Sequence, residues 1–346
     1  YIMKKFWMML GCVTLLLSGC GDPKADETYE SGKKALEKKE YDTAIEMFDQ
    51  VVKMDQRLSE AYRGAGIAWL AKDSYPEAIA AFSRSLNYME EPNAEFEKDV
   101  RFYLAQARME YGEIDKAIEE YGNILKKGED VQAFFLRGKA YMEEQEFEKA
   151  QKDFTRALKE CKDYDFYMNI YQIYQETGKV DEGEQYLQMA LELEPETGED
   201  YYHRGRIYEY LQNYEKAKDS LLKALELEYP EAMLLLGRVY LEMEDPVSAR
   251  AMYQDYLSGN EKGAEAYNGL ATCDIYEGNY DGALENIQKG LALSTEENKK
   301  GLLYNEIVAY EYKLDFATAK TKMAEYLALY PEDEEGLREN EFLSTR

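Results

Sequence analysis

Alanine, once replaced by glycine, returns along this chain at intervals of 32 to 39 residues: Ala44, Ala78, Ala117, Ala150, Gly183, Ala217, Ala249, Ala283 and Ala319. A period of that length marks a stacked array, in which each unit is too small to bury its own apolar face and closes its core against its neighbours. The surrounding residues repeat too. The segments "YRGAGIAWLAKDSYPEAIAAFSRSL" from Tyr62, "FLRGKAYMEEQEFEKAQKDFTRAL" from Phe135 and "YHRGRIYEYLQNYEKAKDSLLKALEL" from Tyr202 follow one plan. Each places a glycine in a first helical segment and an aromatic three residues on. A turn follows, then the alanine, with a large apolar residue four positions later.

With the recurrent alanine as position 20, nine units begin at Ala25, Ser59, Lys98, Val131, Tyr164, Gly198, Pro230, Ala264 and Lys300. The longest interval contains Glu90-Glu91-Pro92-Asn93, an insertion ahead of the third unit. Position 8 is Gly66, Gly138, Gly205 or Gly237 in four units, set against Ala78, Ala150, Ala217 and Ala249 at position 20. Glycine inside a helix costs about 1 kcal/mol against alanine, so its return implies a close helix–helix approach. Aromatics at position 11, among them Trp69, Tyr141, Tyr174, Tyr208, Tyr240 and Tyr310, fill the space toward the next unit. Most of the 32 tyrosines are therefore expected in the core.

These units resemble the tetratricopeptide repeat (TPR), whose pattern is W-x2-L-G-x2-Y followed by A, F, A and P. The resemblance implies an all-α chain: a right-handed α-solenoid of about nine helix–turn–helix repeats over residues 25–332. A short, partly frayed capping helix and tail are expected over 333–346, with Leu337 and Phe342 as its only sizeable apolar residues. Tyr171 and Ile307 stand where glycine belongs, and Thr28 and Ser31 occupy usually apolar positions, so those units should pack less regularly.

The chain carries 70 Asp+Glu against 42 Lys+Arg, a formal net charge of −28, which argues against nucleic acid as a main ligand. Catalytic constellations are absent from the pattern. His203 is the single histidine, so neither a triad nor a histidine-based metal site can be assembled around it. Gly138-Lys139 sits in a helical segment, with Ala133 where a Walker loop requires glycine. The expectation is no enzyme, no cofactor and no metal. Cys161 and Cys273 form no CxxC spacing and are expected as two buried free thiols.

The chain's start is of another kind. Lys4 and Lys5 precede an apolar stretch from Phe6 to Leu17, then Ser18, Gly19 and Cys20. Twelve helical residues rise about 18 Å, short of the roughly 30 Å of a bilayer core, so a secretory leader fits better than a membrane span. Leu17-Ser18-Gly19-Cys20 resembles the lipobox of bacterial lipoproteins, with Met3 as the start of the leader. The resemblance implies a signal peptide over residues 1–19, acylation of Cys20, and a short lipidated tether over 20–24. The protein is then expected outside the cytoplasm, anchored by lipid to a membrane of the bacterial cell envelope.

In TPR arrays, positions 2, 5, 9 and 12 of the first helices face a concave groove. Position 2 is mostly acidic here, which the helix dipole accounts for. Positions 5 and 12 are largely apolar, and position 9 supplies cations. The candidate ligand-binding set is Phe102, Met109, Phe135, Lys139, Met142, Met168, Tyr202, Arg206, Leu234 and Arg238. Such a trough suits an extended or amphipathic peptide carrying acidic residues. The same residues would serve equally well as packing between neighbouring first helices. Position 9 is Ile67 or Gln106 where a carboxylate clamp requires asparagine, and Asn169, Asn268 and Asn305 form no clamp set. The expected function is a membrane-anchored scaffold that binds protein or peptide in this groove. The alternatives are a subunit of an envelope or secretion assembly, and a carrier of small solutes or glycans.

Overall fold

The structure is a computed structural model that describes residues 22–90, 92–259 and 263–346. The described residues form nineteen α-helices and no strand. They divide into two compact units, the first ending at Glu160 and the second beginning at Cys161.

Unit 1 holds α1 (Pro23–Glu37), α2 (Tyr41–Lys53), α3 (Leu58–Ala71), α4 (Tyr75–Asn87), α5 (Ala94–Glu110), α6 (Ile114–Leu125), α7 (Val131–Glu143) and α8 (Phe147–Glu160). Unit 2 continues with α9 (Tyr164–Glu176), α10 (Val180–Ala190), α11 (Gly198–Tyr210), α12 (Tyr214–Glu226), α13 (Ala232–Glu242) and α14 (Pro246–Gly259). It ends with α15 (Ala264–Tyr276), α16 (Tyr280–Leu293), α17 (Glu296–Tyr312), α18 (Phe316–Leu329) and α19 (Glu334–Ser344). Odd-numbered helices up to α17 are the first helices of repeats 1 to 9, and each packs on the even-numbered helix after it. Every first helix starts within four residues of the repeat start read from the periodicity.

Position 20 lies at zero exposure in all eight repeats that carry alanine there. What presses on the position-8 glycine, however, is the large residue at position 24. A Cβ on Gly66, Gly138, Gly205 or Gly237 would come within 2.6 to 2.7 Å of Phe82, Phe154, Leu221 or Tyr253. The glycine is a socket for that side chain. Phe48 and Tyr253 each also press on a glycine of the next first helix, Gly64 and Gly269, so one ring locks two repeats together. Repeat 5 reverses the sizes: Tyr171 is buried at position 8, and Gly183 at position 20 makes room for Tyr171 and Tyr174. The departure from the pattern is an exchange of large and small residues across one crossing.

All nine turns share a geometry that composition conceals. Position 15 has a positive φ in each repeat: Lys39, Asp73, Gly112, Gln145, Gly178, Gln212, Glu244, Gly278 and Leu314. The next residue's N–H reaches back to the carbonyl of position 11, as in Glu146 to Tyr141 at 2.8 Å and Asp245 to Tyr240 at 2.8 Å. This Schellman closure satisfies carbonyls the first helix leaves open and turns the chain at a fixed angle.

The last helix is held by a third apolar residue, Leu343, beyond the two expected. Leu343, seven residues after Gly336 and on the same helix face, is fully buried against Ile307, Met323 and Tyr326. Leu337 and Phe342 remain exposed. The cysteines need a correction too. Cys273 is fully buried, and burial pushes its thiol up to about 11, but Cys161 is only half-buried.

Candidate peptide groove

Within each unit, first helices of successive repeats touch directly: α1 with α3 and α3 with α5 in unit 1, and α9 through α17 in sequence in unit 2. The first helices are therefore in direct contact over α1–α5 and over α9–α17, and the side chains that project from them define what each surface can hold.

On unit 1 the face carries rings and ion pairs. Phe102 is half-buried, its ring 6.3 Å from Tyr121, and with Met109 it packs on a cluster that includes Ala105, Ala117 and Ile124. Phe135 is half-buried with its ring 6.0 Å from Phe154. Arg57 bonds Asp26 at 2.9 Å while lying over Tyr29, and Arg63 bonds Asp99 at 2.5 Å. Lys139 is half-buried and has no ion pair among the described residues.

On unit 2 Tyr202 lies 5.3 Å from Tyr229, with Arg206 over its ring. Arg206 bonds Asp165 at 3.4 Å, and Arg238 grips Glu209 through two bonds of 2.5 and 2.9 Å. Leu234 packs on a cluster containing Leu241, Tyr253 and Leu270. Farther along, Asn305 donates to Asn268 at 2.9 Å and to Thr272 at 3.2 Å, joining two first helices through neutral amides. Two of the three asparagines set aside from sequence are thus brought together, though not as a clamp.

Two members of the candidate set are misplaced. Met142 and Met168 are 1% and 2% exposed and fill interior space, so neither can meet a ligand on this surface. Methionine follows irregular gaps easily, and α9 is covered nearly all round, burying Tyr164, Tyr167, Ile170, Tyr171, Ile173 and Tyr174 beside Met168. The other eight are half-buried or exposed on first helices, but Arg206 and Arg238 are already paired with carboxylates.

The acidic position 2 has a second role that helix dipoles alone do not explain. Asp99 and Asp165 each bond an arginine of a neighbouring repeat, and Asp26 bonds Arg57, which immediately precedes α3. Burial presses against the charge of Arg63 and Arg238, but the bonds to Asp99 and Glu209 outweigh it and hold both pKa values above the ordinary one. The signal was available as cations one repeat away from the acids; their pairing needed the inter-repeat distance.

His203 is buried, stacked on Tyr164 at 6.1 Å between centroids, with Asp165 3.3 Å from its Nδ1. Among the described residues no group of three His, Cys, Asp or Glu is arranged to hold a metal ion. No described helix is long and apolar enough to cross a membrane. Two open depressions of about 550 Å³ flank the repeat 6 turn around Leu211 and Asn213, away from the inner faces. Cys20 and the leader lie outside the described residues.

Family models described as "Tetratricopeptide repeat" match residues 29–93 and 234–297, 131–164, and 164–197 with 201–229. No curated protein matches the chain in sequence. Among solved structures, a tetratricopeptide repeat protein from Parabacteroides merdae is 15% identical, with 83% of this chain and 100% of that one covered, at a TM-score of 0.44. YrrB, described as a TPR protein with an unusual peptide-binding site, is 25% identical over 54% of this chain and 97% of its own, at 0.36. PilW, described as a widely conserved type IV pilus biogenesis factor, is 18% identical over 60% and 97%, at 0.46. With paired helices, glycine sockets and Schellman turns recurring at the matched period, the chain belongs to the tetratricopeptide-repeat proteins, a family of generally non-catalytic scaffolds.

Proposed function

We propose that this TPR scaffold is an extracytoplasmic lipoprotein that holds extended protein segments on the inner faces of its first helices. The observation that carries the binding reading is the alternation, on both units, of half-buried rings with ion pairs that link neighbouring helices. Rings fixed at their base offer apolar contact at little entropic cost. Paired charges can exchange partners with a zwitterionic chain without leaving a bare ion. Lys139, which has no ion pair among the described residues, supplies a point of attraction for an acidic side chain.

Lipid anchoring rests on Lys4-Lys5, the apolar run and Leu17-Ser18-Gly19-Cys20. Two acyl chains hold a protein where one is marginal. Between Cys20 and the start of α1 at Pro23 the chain can span no more than about 11 Å, so unit 1 would begin at the bilayer surface.

Each half of the proposal has its own test. Metabolic labelling with a fatty-acid analogue should mark the parent and leave Cys20→Ser unlabelled; label retained on the variant rejects the anchor. A photo-crosslinking residue at Lys139 or Arg238 should capture protein in membranes, and one at Lys152 on the outer helix α8 should not. Equal capture at all three positions rejects the groove.

A further inference from the structure

A second surface lies on the edge formed by the turns. The four most exposed large apolar side chains among the described residues are Leu314 (74%), Val247 (73%), Tyr276 (59%) and Tyr312 (57%). All four occupy the turn edge of three consecutive repeats, 7 to 9. Tyr276 and Tyr312 stand at position 13, where unit 1 carries Glu37, Ala71, Glu110 and Glu143. The edge is continuous from repeat 8 to repeat 9: Tyr280 stacks on Tyr312 at 5.7 Å, and Lys313 bonds Asp281 at 2.5 Å.

Leu314 has no explanation in folding. It holds φ +62°, a conformation that glycine supplies at Gly112, Gly178 and Gly278. A leucine there loses both ways, strained in its backbone and bare to water. Neither burial nor conformation selects it, which leaves contact with another molecule.

Charge identifies the occupant. Glu242, Glu244, Asp245, Glu277, Asp281 and Asp315 line this edge against two cations, Arg250 and Lys313. Both cations are already paired, Arg250 to Glu277 at 3.0 Å and Lys313 to Asp281. An acidic ledge with exposed tyrosine faces attracts cations through both field and ring. Successive repeats stand about 10 Å apart, which an α-helix spans in roughly seven residues. We infer that the turn edge of repeats 7 to 9 docks a basic amphipathic helix of a partner protein, with apolar residues at heptad spacing meeting Val247, Tyr276 and Tyr312–Leu314 in turn. This surface is separate from the inner groove and does not depend on it.

The test uses the full chain and two fluorescein-labelled peptides of three heptads, with leucine at the apolar positions and either lysine or glutamate elsewhere, followed by anisotropy at low salt. The lysine peptide should bind and the glutamate peptide should not. Tyr276→Ser with Tyr312→Ser should weaken binding about tenfold or more, as loss of anchoring aromatics does. Leu314→Gly should weaken it too while leaving thermal stability equal or higher, so lost folding cannot account for the loss. Lys139→Ala with Arg238→Ala, on the inner faces, should bind the lysine peptide as the parent does. Absence of binding, equal binding of the two peptides, or unchanged affinity in the Tyr276/Tyr312 and Leu314 variants overturns the inference. Weakening by the Lys139/Arg238 variant instead would place the lysine peptide in the groove and equally overturn it.

Discussion

Asp153 in unit 1 and Asp274 in unit 2 are both buried carboxylates held by an arginine, but they are supported differently. Asp153 on α8 takes two bonds, 2.7 and 2.8 Å, from Arg137 on α7 of the same repeat. Asp274 on α15 takes one bond of 2.8 Å from Arg250, which belongs to the preceding repeat, and two more from Asn279 and Asn286. Glu120 repeats the unit 1 arrangement, bonded by Arg101 and Arg108 from the first helix of its own repeat. At Asp153 and Glu120 the buried carboxylate therefore closes within its own repeat, whereas at Asp274 it also ties one repeat to the next. In a linear array, where stability is a sum of repeat and nearest-neighbour terms, the two arrangements strengthen different terms.

The largest effect is expected from a charge that neither arrangement can absorb. Ala150→Glu places a carboxylate at a fully buried helix crossing in unit 1. The cost should be several kcal/mol, on the order of 3–5. Hydrogen exchange should show protection lost in repeats 3 and 4 before repeats 1 and 2. Uniform loss would mean that the nearest-neighbour description fails.

The arginines break the comparison directly. Arg137→Ala removes both bonds to Asp153, leaving it no other side-chain donor among the described residues, and should cost about 2–3 kcal/mol, reduced from the fully buried figure because the guanidinium is partly exposed. Arg250→Ala leaves Asp274 with two amide donors and should cost about 1 kcal/mol. Urea denaturation of the two variants gives the difference, and equal losses would show that the asparagines contribute nothing.

The glycine sockets sharpen it further. A Cβ on Gly138 would lie 2.7 Å from a ring carbon of Phe154, and one on Gly183 would lie 2.7 Å from the Cβ of Tyr174. A ring can tilt, but a Cβ is fixed to its helix. Both Gly→Ala variants should lose about 1–3 kcal/mol by overpacking, Gly183→Ala more than Gly138→Ala. The reverse order in thermal melts would show that repeat 5 is the more compliant.

The most local effect belongs to the end of unit 2. Glu311 on α17 faces Glu339 on α19, and burial together with that neighbouring carboxylate raises its pKa to about 7. A raised carboxyl pKa means the folded state holds its proton where the unfolded chain has released it. The contribution is therefore fully present below about 4.5, and is lost as pH rises toward 7. Protection of Glu334–Ser344, corrected for intrinsic exchange, should decline over that window, and Glu339→Gln should flatten the decline. A parent protein whose last helix is equally protected at pH 5 and pH 7.5 would show the pair is indifferent.

Much of the architecture was legible because it is local. Helix starts, the crossing alanines and the glycine positions follow from a 3.6-residue periodicity repeated nine times, which needs no knowledge of what lies opposite. The positive-φ turn was not legible, since six of its nine positions hold residues other than glycine that the Schellman bonds constrain all the same. The helical register of the groove candidates was legible, but not which of them packing would cover. Phe102, Phe135, Tyr202 and Leu234 at position 5 are half-buried, whereas Met168 at the same position and Met142 at position 12 are covered.

By itself, the sequence determined the repeat, its number and the faces on which its helices meet. Tertiary structure alone decided what each face meets. It set Phe154 in the Gly138 socket, joined Asp165 to Arg206 across 41 residues, and made Leu343 the anchor of the last helix in place of Leu337 or Phe342. The physical reason is range. Helix periodicity is a property of neighbours three and four residues apart, whereas burial and charge pairing depend on atoms brought close only when one repeat stacks on the next.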